Sequence, residues 1–141
     1  MSPEIPQRPR PFPDAETAPY WEAAARGELR VQRCTACGTH RFYPRALCPA
    51  CHEDAHEWVR VSGRGEVFSF SVVHRAPSPA FAARVPYAIA MVALEEGPHM
   101  LSEVVGIDPG RVSIGLAVEV DFEDLGDGVR LPVFRPRGSA G

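Results

Sequence analysis

The chain has 141 residues with a formal net charge of −3, and every one of its fifteen cationic side chains is an arginine. Without lysine, Schiff-base chemistry, P-loop ATPases and lysine nucleophiles are excluded, and the acidic balance argues against a general nucleic-acid binder. The length suits one domain, or a small domain with an appendage, able to bury about two thirds of its unfolded surface.

Residues 1–13 contain Pro3, Pro6, Pro9, Pro11 and Pro13. This reads as an extended arm without helix or ladder hydrogen bonds, either a loose tail or an arm that lies on a partner. The segment has no apolar h-region of a secretory signal, and no run of about 18 apolar residues exists to span a membrane. The expected compartment is the cytoplasm, with no membrane contact.

Residues 18–26 (APYWEAAAR) predict a short helix, with Pro19 in the first turn and Gly27 as the left-handed cap beyond the last. Tyr20, Trp21, Ala24 and Ala25 share one face. A helix of about ten residues is unstable alone, so that face must pack on its own core or on a partner. Leu29–Gln32 reads as a strand that leads into the cysteines.

Cys34-Thr-Ala-Cys37-Gly38 and Cys48-Pro-Ala-Cys51 are two CxxC knuckles. In each, two sulfurs reach one cation from the same side, and two facing knuckles complete a tetrahedral S₄ cage. In a reducing compartment metal ligation outweighs disulfides, and neither a local disulfide nor a redox CxxC needs a duplicated motif. Tetrahedral S₄ suits zinc or iron. An iron site would make a rubredoxin-like electron carrier and leave the rest of the chain without a role, so zinc is preferred. With four protein ligands no position is open for water, and the metal is structural. His52 stands where the second knuckle would carry glycine. It reads as a solvated neighbour of the cage, not a ligand, as do His40 and His56.

His56–Val61 predicts a strand and Ser62–Gly65 a turn. From Glu66 the pattern has period two, with Phe68, Phe70 and Val72 on one face and Val67, Ser69, Ser71 and Val73 on the other. Residues 87–94 (YAIAMVAL) are apolar on both faces, as for a strand covered on both sides. Met100–Val105, Leu116–Phe122 and Val129–Phe134 complete five strands, the last two joined by a turn at Gly126-Asp127-Gly128. Five short strands with glycine-rich turns predict a small barrel, of which the OB-fold is the commonest type. The expected organisation is an arm and helix over 1–27, a metal ribbon over 28–61, a barrel over 62–136 and a disordered tail over 137–141. The fold class is mainly β: an N-terminal helix, a rubredoxin-like zinc ribbon and a C-terminal five-stranded OB-fold barrel.

No serine or cysteine has a histidine partner in a recognisable elbow, so no catalytic residue is assigned. Residues 26–45 carry five arginines against Glu28 alone, and residues 95–127 carry nine acids against Arg111. The ribbon side thus offers arginine, which binds phosphate in bidentate fashion, and the acidic half opposes a nucleic-acid groove. Arg41-Phe42-Tyr43-Pro44-Arg45 sets two arginines around two aromatics. This suits a phosphorylated ligand with an adenine or an apolar tail, unless the aromatics only pack the ribbon on the barrel.

Tyr20-Trp21, Gly27-Glu28-Leu29, the four cysteines, Tyr43-Pro44-Arg45, Gly63-Arg64-Gly65, Val73-His74-Arg75, Pro86-Tyr87, Gly115 and Pro132-Val133-Phe134-Arg135 occur in an order that closely resembles one family. It is that of the zinc-ribbon/OB-fold, acyl-CoA-associated proteins long catalogued as a domain of unknown function. The resemblance spans residues 18–136, with His52 as one departure. It implies an accessory subunit that binds a thiolase-like enzyme or a hot-dog hydratase acting on acyl-CoA. Some members serve actinobacterial steroid side-chain cleavage beside a lipid-transfer-protein-like aldolase. On that reading Arg41, Phe42, Tyr43, Arg45, Phe68, Phe70 and Arg75 contact acyl-CoA, and Tyr20 and Trp21 meet the partner in a hetero-oligomer. The competing readings are a single-stranded nucleic-acid-binding OB-fold protein and an iron electron carrier.

Overall fold

Helix α1 (Ala18–Ala25) begins with proline in its first turn. Its entry is fixed by Asp14, whose Oδ1 accepts from the Glu16 and Thr17 backbone N–H groups at 3.0 and 2.8 Å. At the other end Gly27 N–H donates to Ala24 C=O and Glu28 N–H to Ala23 C=O, both at 2.9 Å. With Gly27 at φ +76° this is a Schellman stop, which glycine adopts without a Cβ clash. The computed structural model describes residues 14–77, 79–126 and 128–137. The arm over 1–13 and the tail over 138–141 lie outside them.

Three short antiparallel strands follow, in the order β2 (His40–Arg41), β1 (Arg30–Cys34), β3 (His56–Arg60). They carry the two cysteine knuckles at one end. The chain then passes through Gly63 and Gly65, where glycine is obligatory. A Cβ on Gly63 would collide with the Val120 side chain, and one on Gly65 would lie 2.5 Å from the Ala93 carbonyl oxygen.

The remaining strands are β4 (Arg64–Val73), β5 (Tyr87–Leu94), β6 (His99–Val104), β7 (Ala117–Gly126) and β8 (Val129–Pro136). They form a closed barrel in the order β4-β5-β6-β8-β7, the five-stranded OB arrangement. All neighbours are antiparallel except β6 and β8, which meet in parallel at Val104 and Phe134. Strict alternation sends Ala88, Ala90, Val92 and Leu94 of β5 into the core, beside Val67, Met100, Val118 and Phe134. The outer row of β5, Tyr87 to Ala93, is half-buried.

Period two does not hold along β4. A register shift lies between Val67 and Ser69 in the pairing with β5, an irregularity of the β-bulge kind. Val67 is opposite Val92 and fully buried, and beyond the shift Phe70 and Val72 are opposite Ala90 and Ala88. Phe68 sits at the shift, 59% exposed, with its ring 4.8 Å from that of His99. Val67, Phe70 and Val72 are therefore in phase, and the expected grouping of Phe68 with Phe70 is replaced. The bulge adds a residue that sequence alternation does not reveal.

α1 packs against β1 of the ribbon and β8 of the barrel. Tyr20 joins the main core at 7% exposure, with its ring 5.5 Å from Phe42 and 4.9 Å from Trp21. Among the described residues no helix is long and apolar enough to cross a membrane.

Candidate metal centre and the neighbouring cleft

The two knuckles repeat one backbone pattern. Gly38 N–H donates to Cys34 C=O and His52 N–H to Cys48 C=O, both at 2.8 Å. Cys34 N–H donates to Thr39 C=O and Cys48 N–H to Glu53 C=O, both at 2.9 Å. Gly38 and His52 occupy the same left-handed region, at φ +80° and +65°. His52 is thus the second knuckle's turn residue and does not join the ligand cluster.

Sγ atoms of Cys34, Cys37, Cys48 and Cys51 all lie within 4.8 Å of one another. Cys34 and Cys51 are 3.5 Å apart across the knuckles, and Cys37 and Cys48 are 3.7 Å apart. A tetrahedral ion with metal–sulfur bonds near 2.3 Å needs sulfurs about 3.8 Å apart, so the cage fits such an ion. Four sulfurs close its coordination, which makes it a structural metal-binding site.

Without metal the thiols are not equivalent. Side-chain and backbone hydrogen bonds with Thr39 hold the Cys37 thiol down to about 6. At Cys51 the Glu53 backbone N–H favours the thiolate, but desolvation and the three neighbouring sulfurs outweigh it and push the thiol up to about 12. Crowded thiolates repel, and a divalent cation at their centre removes that repulsion.

Beside the ribbon a largely apolar cleft of about 410 Å³ opens between α1, the turn after β2 and the outer face of β5, β6 and β8. Tyr20 and Trp21 come from the helix, Phe42, Tyr43 and Pro44 from the ribbon, and Tyr87, Ile89 and Leu101 from the barrel. Glu103 also lines it, buried at 8% exposure and bound by Arg84 Nη2 at 2.6 and 2.8 Å.

The predicted residues therefore divide. Phe42 and Tyr43 share the cleft with Tyr20 and Trp21. Tyr20, expected on an exposed face, is instead buried in the isolated chain, because the helix is too short to stand alone and packs this ring on Phe42. Burial also pushes its phenol above the ordinary range. Arg41 is a second correction. It is 3% exposed, with Nε donating to Gln32 Oε1 at 2.6 Å and Nη2 to Arg45 C=O at 2.8 Å, so its fork is not available to a phosphate. Arg26 and Arg30 pair with Glu28, and Arg33 pairs with Glu57. The expected cluster of free ribbon arginines is thereby reduced to the exposed Arg45. Arg75 is exposed at the end of β4, away from the cleft. Phe68 and Phe70 do not line the cleft either. Phe81, Ile89, Leu101 and Leu131 also line it and carry no individual signal in the sequence. Ile89 alone has a pattern behind it, the apolar outer row of β5.

A four-cysteine ribbon docked through a helix on a five-stranded barrel defines a two-module zinc-ribbon/OB-fold class of protein. Residues 21–57 match the family described as the ChsH2 rubredoxin-like zinc ribbon domain, and residues 58–123 match the ChsH2 C-terminal OB-fold domain. The chain is 42% identical over 102 residues to a DUF35 domain-containing scaffold protein of Methanocaldococcus jannaschii, covering 69% of this chain and 72% of the relative. It is 40% identical over 129 residues to a probable enoyl-CoA hydratase alpha subunit of Thermomonospora curvata, covering 92% of this chain. With the 3-oxo-4,17-pregnadiene-20-carboxyl-CoA hydratase alpha subunit of Mycobacterium tuberculosis it shares 44% identity over 121 residues, 84% of this chain. The chain spans 40% and 37% of the length of these two hydratase subunits. Among solved structures, a chain of an Ltp2-ChsH2(DUF35) aldolase superposes with a TM-score of 0.81 at 39% identity, covering 90% of this chain and 98% of that one. This chain belongs to the DUF35 family of ChsH2-type zinc-ribbon/OB-fold proteins.

Proposed function

We infer that this chain is a non-catalytic accessory subunit that binds and stabilises a thiolase-like, lipid-transfer-protein-like aldolase or acyltransferase acting on acyl-CoA, in steroid side-chain degradation. The observation that carries this reading is the match to almost the full length of the chain found in the Ltp2-ChsH2(DUF35) aldolase. The hydratase alpha subunits are more than twice as long as this chain. They support the acyl-CoA class of substrate, and the full-length match favours the aldolase type of partner over a hydratase.

Within such a complex the cage is a rigid staple, and zinc is the ion it takes. Cys34, Cys37, Cys48 and Cys51 hold it, and the closed coordination gives it no part in chemistry. Elemental analysis should return one zinc per chain in a colourless protein. A red, iron-loaded protein after native expression would overturn this. Arg45 and Arg75 keep their guanidinium groups at the surface, where they can meet CoA phosphates once the partner is bound. Phe68 and Phe70 offer apolar surface on β4. The chain is proposed to act in the cytoplasm.

The test is purification of the tagged chain from its native host. A thiolase-like subunit identified by mass in fixed ratio supports the reading. Recovery of the chain alone, or with nucleic acid, contradicts it.

A further inference from the structure

Where α1 ends, arginines from four parts of the chain meet one carboxylate. Glu28 Oε1 accepts from Arg30 Nε at 2.9 Å, and Arg26 Nε lies 3.7 Å from Glu28 Oε2. Arg60 of β3 stands directly opposite Arg30 of β1. Arg130 reaches over from β8, with Nη1 3.7 Å from where a Cβ on Gly27 would stand. The Arg30 hydrogen bond, with the fields of Arg30, Arg26 and Arg60, holds the Glu28 carboxyl below its usual range against its desolvation.

Local structure does not require so many cations. The Ala23 and Ala24 carbonyls at the end of α1 already accept from the backbone N–H groups of Arg26, Gly27 and Glu28, so the helix does not depend on an arginine side chain as a cap. Like charges directly opposite each other on paired strands are destabilising, and Arg30 and Arg60 are such a pair. Arg26 and Arg30 approach Glu28 through Nε, and their Nη groups make no hydrogen bond among the described residues. Arg60 and Arg130 form no ion pair among the described residues. The opposing acids are Glu28 and Asp124, which stands opposite Arg130 on β7. Glu22, one turn ahead of Arg26, makes no ion pair among the described residues. The cluster keeps a formal excess of two positive charges on a chain whose net charge is −3.

We propose that Arg26, Arg30, Arg60 and Arg130 form a docking surface for a cluster of carboxylates on the partner subunit. Arg26, Arg60 and Arg130 are exposed. On an open surface a lone small anion is screened by water and salt. A second protein surface excludes water as it binds, which strengthens each guanidinium–carboxylate pair, and arginine is enriched in such interfaces. The two Nη groups of one guanidinium match the two oxygens of a carboxylate. Because the arginines come from the helix, the ribbon and the barrel, one bound partner grips both modules. The inference rests on the reading of this chain as an accessory subunit and adds where the partner binds.

A chain without lysine makes the test specific. Arg60→Lys and Arg130→Lys each place one side-chain amine where the chain otherwise has none. In the full chain bound to the thiolase-like subunit recovered with it, carbodiimide should join that amine to an aspartate or glutamate of the partner, identified by mass. Arg111→Lys, on the exposed turn before β7, is the control and should give no such link. Arg60→Glu with Arg130→Glu should slow association about tenfold at low salt. Salt near 1 M should abolish the difference, since the Debye length falls to about 3 Å. Links confined to this chain's own Glu28 or Asp124, or equal linking of the Arg111 control, would overturn the proposal. If the wild-type chain binds the thiolase-like subunit and the charge-reversed chain binds it equally fast, the docking surface alone is wrong. If the wild-type chain binds no such subunit, the underlying reading falls together with it.

Discussion

Gln32 and Arg41 stand opposite each other on β1 and β2, and Arg41 Nε donates to Gln32 Oε1 at 2.6 Å where neither side chain reaches solvent. The same oxygen accepts from the Arg45 backbone N–H at 2.7 Å, and Arg41 Nη2 donates to Arg45 C=O at 2.8 Å. This closed ring holds the turn of residues 42–45 and so presents Phe42 and Tyr43 to the cleft. Gln32→Leu leaves the buried Nε of Arg41 and the Arg45 N–H without their shared acceptor and should cost about 2–3 kcal/mol. Denaturant unfolding measures the loss, and chelator extraction of the metal should become faster.

His52 is in a left-handed conformation that costs a residue with a Cβ about 1 kcal/mol or more. His52→Gly gives the second knuckle the turn residue of the first. The gain is reduced by the extra freedom of glycine in the unfolded chain, so the net stabilisation should be about 0.5 kcal/mol. Thermal unfolding checks the sign, and metal stoichiometry should not change, because His52 is not a ligand.

Metal capture should release protons, because only thiolates ligate. With Cys37 held at about 6 and Cys51 pushed up to about 12, the first is already largely thiolate at neutral pH and the second is not. Fewer than four protons and at least one should therefore leave per ion. Falling pH protonates the ligands, so affinity must decrease toward acid, steeply as pH passes through 6. Calorimetry in buffers of different ionisation enthalpy counts the protons.

Arg84 joins Glu103 of β6 to Glu123 of β7, and Glu103 is 8% exposed. Arg84→Met removes the cation from a buried carboxylate and should destabilise the chain by about 3 kcal/mol. Adding Glu103→Gln should recover part of that loss. A double-mutant cycle in urea gives the coupling, and additive losses would show that the pair is not coupled.

Much of this was legible where chemistry is local. The four cysteines define their own cage, the place of His52 after CxxC marks a turn, and the alternation of β5 names its inward row. Three features were not, and each depends on a distant partner. Arg41 looks like a surface cation until β1 brings Gln32 opposite it. Phe68 and Phe70 appear in phase until the irregularity in pairing with β5 separates them. The cleft gathers residues from α1, the ribbon, the loop before β5 and the barrel, and no single segment carries its signature.

The central claim is that this chain supports an enzyme and does not itself perform the chemistry. The direct measurement is acyl-CoA cleavage by the thiolase-like protein that co-purifies with it, assayed for each protein alone and for the two co-expressed. The account predicts no turnover by this chain, an insoluble or inactive lone partner, and activity only for the pair. A lone partner that is stable and fully active would contradict it.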